Sequence, residues 1–277
     1  MYIVSRGSGY PVLFIHGIPT SCRLWDGVME RMAGEFTCLA VDLPGLGRSA
    51  GMPHRFRELD VLASEIEGIR IQRGIEKWHV VGHDAGCAIA IHYAHEFHEH
   101  VGCLAMLSPS VFPDLKPFYL FEILRKRIAG ELLAPLINLL FWRFVMLWAV
   151  GRNPEQRAAL ADFHAPFRGR GGGWRLMSLL RWGDPADVLA QIPEFLPRVM
   201  VPALILHGSR DPAVPEEFAR RASGMLANSE VVVLNTGHFL PMNEPARIAR
   251  ELLCFFEKHG DWASCLVSGA AGVTDGR

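Results

Sequence analysis

Charge imbalance is nearly absent from this chain: 28 Lys and Arg face 29 Asp and Glu, a net charge of −1. That leaves no basic footprint for nucleic acid and no basic tail. Paired cysteines are missing too. Cys22, Cys38, Cys87, Cys103, Cys254 and Cys265 are scattered without a C-x-x-C pair, which reads as buried, reduced thiols in a cytoplasmic protein. The N-terminal "MYIVSRGSGYPVLFIHG" lacks the basic region, apolar stretch and cleavage site of a signal peptide. The histidine-rich run His92–His100, "HYAHEFHEH", lacks H-E-x-x-H spacing, since His95-Glu96-Phe97-His98 is one residue short. A solvated helix end is expected there, with no metal. Among the apolar runs, Leu132–Val150 approaches the length of a bilayer span. Arg143 lies inside it, Pro135 and Asn138 interrupt it and Glu131 abuts it. Helices lining an apolar pocket are expected instead of a membrane span.

What is present is an ordinary globular composition: 277 residues, 50% hydrophobic and 21% charged. Short apolar runs alternate with helical patterns, which predicts a mostly parallel sheet in an α/β fold. Strands are expected at Tyr2–Val4, Val12–Ile15, Thr37–Val41, Trp78–Gly82, Gly102–Leu107, Ala203–Leu206 and Val231–Leu234. Helices are expected near Arg23–Met32, Glu58–Arg73, Ala85–Phe97, Glu216–Leu226 and Pro245–Lys258. From Val111 to Arg198 the alternation stops, and the chain reads as an inserted helical cap containing the break "FRGRGGGWR". The expected organisation is therefore a core of residues 1–110 and 199–258, a cap of 111–198 and a tail of 259–277.

Four motifs occur where strands should end. "HGIPTS" (His16–Ser21) follows one strand, and "GHDAG" (Gly82–Gly86) follows another. "HGSRDPAVP" places Asp211, and "NTGHFLP" places His238, just beyond two later strands. Loops at the carboxyl ends of parallel strands converge on one crevice, so Asp84, Asp211 and His238 can meet. The second motif has the layout of a nucleophile elbow, G-x-nucleophile-x-G, with Asp84 at its centre. Gly82 and Gly86 allow close backbone approach in that turn. His16 beside Gly17, and His83 beside the elbow, are expected to brace these turns.

In their order these motifs, with "VDLPGLGRS" at Val41–Ser49, resemble the α/β-hydrolase superfamily. The similarity runs from about Tyr2 to Lys258, and the aspartate is similar to the branch of haloalkane dehalogenases, epoxide hydrolases and fluoroacetate dehalogenases. The resemblance implies a cofactor-free hydrolase of about seven strands with an inserted cap. It implies Asp84 as nucleophile, Asp211 as acid, His238 as base, and the N–H groups of Ile18 and Ala85 as an oxyanion hole. The chemistry points the same way. A carboxylate attacking an ester gives a mixed anhydride, whereas at an electrophilic sp³ carbon it gives a stable alkyl ester. An ordinary aspartate is already ionised near neutrality, so it needs no base for the attack. His238 would then activate the water that hydrolyses that ester.

This chain departs from the family where leaving groups are held. Ala85 stands where many dehalogenases have Trp and fluoroacetate dehalogenases have Arg, and Ile18 stands where an Asn is usual. "FVMLW" and "FHAPF" resemble a cap that supplies its own tryptophan, which nominates Trp148 as the halide donor. Epoxide hydrolases use cap tyrosines, and of four tyrosines only Tyr119 falls in the cap. The pocket is expected to be apolar, taking a neutral apolar small molecule together with water. Some side chains of the Leu132–Trp148 run are expected to pack on the sheet domain and others to wall the pocket, and the glycine break is expected to let the cap flex. Dehalogenation leads, strained-ring opening is the alternative, and ligand binding without turnover is a third reading. A homodimer is left open. The short lead-in to Val12 predicts one strand there, with Tyr2–Val4 as a sheet edge.

Overall fold

The computed structural model describes residues 1–49, 58–116, 119–150, 153–181 and 185–260. Seven strands form one sheet: β1 (Tyr2–Arg6), β2 (Tyr10–Ile15), β3 (Phe36–Asp42), β4 (Trp78–His83), β5 (Val101–Leu107), β6 (Ala203–Gly208) and β7 (Ser229–Leu234). Their order is β1-β3-β2-β4-β5-β6-β7, with β1 antiparallel to β3 and every other pair parallel. The cores of the central strands are fully buried, which is why "VLFI" and "ALILHG" are continuous rather than alternating. Tyr2 to Arg6 pair along β3 from Asp42 to Cys38, so β1 forms the expected edge. That edge is tied back at its start, where the Tyr2 N–H donates to Ser49 Oγ and Arg48 donates to the Tyr2 hydroxyl.

The helices of the first half are α1 (Asp26–Met32), α2 (Leu59–Gln72) and α3 (Ala85–Glu96). Helix α3 is buried on nearly all sides from Gly86 to Ala94, which its Ala, Gly, Cys and Ile content permits. In "HYAHEFHEH" only the end is solvated: His92 is buried, its ring edge-on to Phe195, while His98 and Glu99 are exposed. Of the cysteines, Cys22, Cys38, Cys87 and Cys103 are buried as expected, but Cys254 is exposed. Cys265 lies outside the described residues.

Between β5 and β6 run α4 (Tyr119–Arg125), α5 (Ala129–Leu140), a π-helical stretch at Phe141–Met146, α6 (Leu147–Val150), α7 (Pro154–His164), α8 (Gly172–Arg181), α9 (Pro185–Val188) and α10 (Ile192–Phe195). Asn153 caps α7 through a reciprocal pair of bonds with Gln156. After β6 come α11 (Glu216–Met225), α12 (Leu240–Asn243) and α13 (Pro245–His259). The expected tail beyond Gly260 lies outside the described residues.

Two expectations for the cap need correcting. The glycine run is not simply a break, because Gly172 and Gly173 form the first turn of α8 and are buried. A Cβ on Gly173 would come within 2.5 Å of the Ala134 carbonyl, so this glycine allows α8 to lie against α5. Nor do the leucines of α5 wall a pocket. Leu132, Leu133, Leu136 and Leu139 are exposed, while Ala134 and Ile137 carry the buried face. A helix's apolar pattern fixes which residues avoid water, not which surface covers them.

Candidate functional site

Asp84 sits between the end of β4 and the start of α3 at φ 51° and ψ −123°. A non-glycine residue at positive φ is strained, and this conformation is what projects its side chain out of the turn. The flanking glycines explain how the turn fits. A Cβ on Gly82 would lie 2.7 Å from the Gly86 carbonyl oxygen, and one on Gly86 would lie 2.5 Å from that of Ile15.

The two carboxylate oxygens of Asp84 have different partners. Oδ2 accepts the Ile18 N–H at 3.0 Å, and Oδ1 accepts the Ser110 hydroxyl at 2.5 Å. His238 Nε2 lies 4.0 Å from Oδ1, too far for a direct hydrogen bond. On the other side of its ring, His238 Nδ1 bonds Asp211 Oδ2 at 2.8 Å. Asp211 is fixed in turn, because Oδ1 accepts the N–H groups of Ala213 and Val214. The structure thus brings Asp84, Asp211 and His238 into one constellation. Ala85 opens α3 immediately beside it and lines the same cavity.

The electrostatics follow from burial and pairing. Burial opposes charge on His238, but Asp211 and, less strongly, Asp84 overcome it and raise its pKa above the ordinary value. Burial alone would push Asp211 up, yet His238 and the Val214 N–H hold it well below the usual carboxylate range. His83 is kept neutral, pushed down to about 4 by burial and then by the neighbouring His238.

The supporting histidines have defined work. His16 donates from Nδ1 to the Gly17 carbonyl and accepts the Leu43 N–H at Nε2, holding two loops together. Asp42 assists by accepting the N–H groups of Cys22 and Arg48. Gly17 must be bare, since a Cβ there would lie 2.5 Å from the Asp84 side chain. His83 does more than brace the elbow: its Nε2 donates to the His238 carbonyl at 2.9 Å, and the two rings lie 4.8 Å apart.

A cavity of about 510 Å³ lies over Asp84 and His238. Phe121, Phe141, Val145, Met146 and Leu180 of the cap supply much of its apolar wall, as expected of a site for a small molecule. Two cations, Lys116 and Arg125, also line it, which the apolar reading of the sequence did not anticipate. Tyr119 is 71% exposed and is not part of the lining. The Trp148 side chain lies outside the described residues, although its helix α6 is described. Among the described residues no group of His, Cys, Asp or Glu is arranged to hold a metal ion.

Ser110 is the site residue that sequence reasoning missed. It follows β5, and the register that sets His83 beside Leu107 delivers it to the elbow. Its only sequence signal is a place just beyond a strand end, the same kind of place that marked Asp211 and His238.

The profile describing the alpha/beta hydrolase fold matches residues 10–245. A haloalkane dehalogenase of Sphingobium indicum is 26% identical, over 93% of this chain and 92% of its own. A soluble epoxide hydrolase of Corynebacterium sp. is 35% identical, but over only 39% of this chain and 37% of its own. The crystal structure of an ancestral haloalkane dehalogenase superposes with a TM-score of 0.76 at 25% identity, covering 93% of this chain and 95% of that one. With its sheet order, elbow and convergent loops, this chain belongs to the α/β-hydrolase fold family, in the homologous group that includes haloalkane dehalogenases and epoxide hydrolases.

Proposed function

We propose that the protein is a hydrolase in which Asp84 attacks an electrophilic sp³ carbon of a small, mainly apolar substrate, in the manner of a haloalkane dehalogenase. The observation that carries this reading is the division of labour at Asp84: Oδ2 is held by the Ile18 N–H, while Oδ1 faces His238 across 4.0 Å. Oδ1 forms the new C–O bond, and the carbon–halogen bond breaks with its electron pair leaving on the halide. Water then adds to the ester carbonyl carbon of Asp84 as His238 Nε2 takes its proton. Charge gathers on Oδ2, where the N–H groups of Ile18 and Ala85 act as the oxyanion hole. Collapse of that intermediate expels the alkoxide, which takes the proton from His238 and leaves as the alcohol, and the proton remaining on the Asp84 carboxyl passes to solvent, restoring the carboxylate. The gap to His238 suits this order of events, because the histidine serves a water and not the nucleophile itself.

For the leaving halide, Trp148 remains the proposed donor. Among the described residues the cations Lys116 and Arg125 also line the cavity, and they suit a polar end of the substrate. Ring opening of an epoxide is the second reading, supported by the local similarity to the epoxide hydrolase and by alanine at position 85 in place of a halide-binding tryptophan.

Single turnover in ¹⁸O-labelled water tests the covalent route. Label is expected in Asp84, because water attacks the enzyme's ester, and His238→Gln is expected to accumulate an alkylated Asp84 visible by mass spectrometry. Labelled product with unlabelled Asp84 would sink the proposal. Scoring halide release and diol formation in one substrate screen separates the two readings, and saturable binding with neither product points to a binding protein.

A further inference from the structure

The roof of the cap presents a surface that the chemistry at Asp84 leaves unexplained. Along α5, Leu132, Leu136 and Leu139 recur at helical spacing and form an outward ridge, with Leu132 75% and Leu136 52% exposed, and Ile128 is exposed at the point where the helix begins. The opposite face of the helix is committed: Ala134 and Ile137 are buried, and Gly173 brings α8 against it. The stretch Ala129–Met146 has the length and composition of a membrane-crossing helix, but a crossing helix needs every face free for lipid or other helices. This one has a single free face.

Cations bracket that face. Lys126 and Arg127 are exposed immediately before Ile128, and Arg143 is exposed one turn beyond Leu139. Trp174 and Arg175 are exposed on the neighbouring α8, with Arg168 and Arg170 in the turn leading into it. The one acidic residue of α5, Glu131, is paired with Arg181 at 2.6 Å. Over Arg125–Arg181 the sequence holds ten Lys and Arg against three Asp and Glu, a charge of +7, while the remainder of the chain carries −8.

From this juxtaposition we infer that the outer face of the cap docks on an anionic lipid surface, with the α5 ridge seated in the interface and the flanking cations on the headgroups. An amphipathic helix lying in the plane of a bilayer has this composition: an apolar stripe, basic borders and an aromatic at the boundary. A second copy of the chain fits less well, because it would set two strongly positive faces against each other. The surface also connects to the cavity. Phe144 is largely exposed and lines the space over Asp84, so docking places that wall beside the acyl chains, where apolar small molecules concentrate. The surface itself does not depend on the reaction proposed for Asp84.

Flotation of the full chain with two kinds of vesicle tests this. Binding is expected to vesicles of equimolar phosphatidylcholine and phosphatidylglycerol, not to phosphatidylcholine alone, and should weaken at high salt. Lys126→Glu with Arg127→Glu should weaken it by about fivefold or more per position. Leu132→Ser with Leu136→Ser removes only exposed side chains and should cut binding by about tenfold or more without lowering the melting temperature. Failure of the unaltered protein to float with the anionic vesicles overturns the proposal, as does binding that survives both double substitutions. A dimer that does not float, and that the Leu132→Ser, Leu136→Ser protein converts to monomer, assigns the ridge to a second copy instead.

Discussion

Asp84 and His238 are tuned to each other through a charge that the proposed reaction removes. In the resting site burial opposes protonation of His238, while Asp211 and Asp84 favour it strongly enough to raise its pKa. Alkylation turns Asp84 into a neutral ester and takes away one of those two favouring charges. The histidine pKa must therefore fall at the step where a neutral base is needed, and the rate of ester hydrolysis should rise with pH through that lowered value. Decay of the alkyl-enzyme, followed by rapid quench and mass spectrometry, is expected to show its acid limb at lower pH than the His238 titration of the free protein measured by NMR. A limb at the same pH or higher would contradict the assignment of Asp84. This coupling was legible in the sequence only as a list of three residues. Ser110 carried only the signal of a place just beyond a strand end, which is weak because serine is common in loops and its neighbour is set by the pairing of β4 with β5.

Elements were readable to different depths for physical reasons. The buried strands announced themselves because helices cover both faces of the sheet and leave continuous runs of Val, Ile and Leu. The cap was harder, because glycine and leucine are ambiguous there. Glycine signals either freedom or closeness, and the run that enters α8 and forms its first turn has both. Gly169 adopts φ +75° with nothing within 4 Å of where a Cβ would lie, whereas a Cβ on Gly173 would meet Ala134 at 2.5 Å. Gly173→Ala should force α8 away from α5 and destabilise the protein by about 1–3 kcal/mol, as overpacking usually does. Gly169→Ala should cost about 1 kcal/mol, from backbone strain alone. Urea unfolding of the two variants checks this, and a Gly173→Ala protein as stable as the parent would show that the helix contact is looser than described. For α5 the ambiguity is different, because a row of leucines gives the same pattern facing a core, a pocket or a lipid surface.

At the scale of the whole molecule, the sheet commits several histidines to neutrality, and that sets its response to acid. His79, on β4, is buried with no hydrogen-bond partner at either ring nitrogen, stacked on Phe256 at 4.2 Å. Burial, with a smaller contribution from Lys77, lowers its pKa from 6.5 to about 3. Below about pH 6.5 the unfolded chain takes a proton on His79 that the folded chain refuses. Stability is therefore lost as pH falls from that value towards 3, and is unaffected by this group above it. His83, lowered to about 4, acts in the same direction. His238 acts oppositely: its raised pKa contributes stability that is present below 6.5 and is lost as pH rises through its folded value. Among the described residues six histidines are lowered (His16, His79, His83, His92, His164 and His207) and one is raised, which predicts net weakening in mild acid. Replacing His79 with a residue that cannot titrate should remove one share of it, about 2 kcal/mol at pH 5 and almost nothing at pH 7. The quantity to measure is the difference in urea-unfolding free energy between pH 7 and pH 5, for the parent and for His79→Phe. Because it is a difference within each protein, any change in packing from the larger ring cancels. A His79→Phe protein that loses as much stability as the parent over this interval would show that His79 is already protonated, or reached by water, in the folded state.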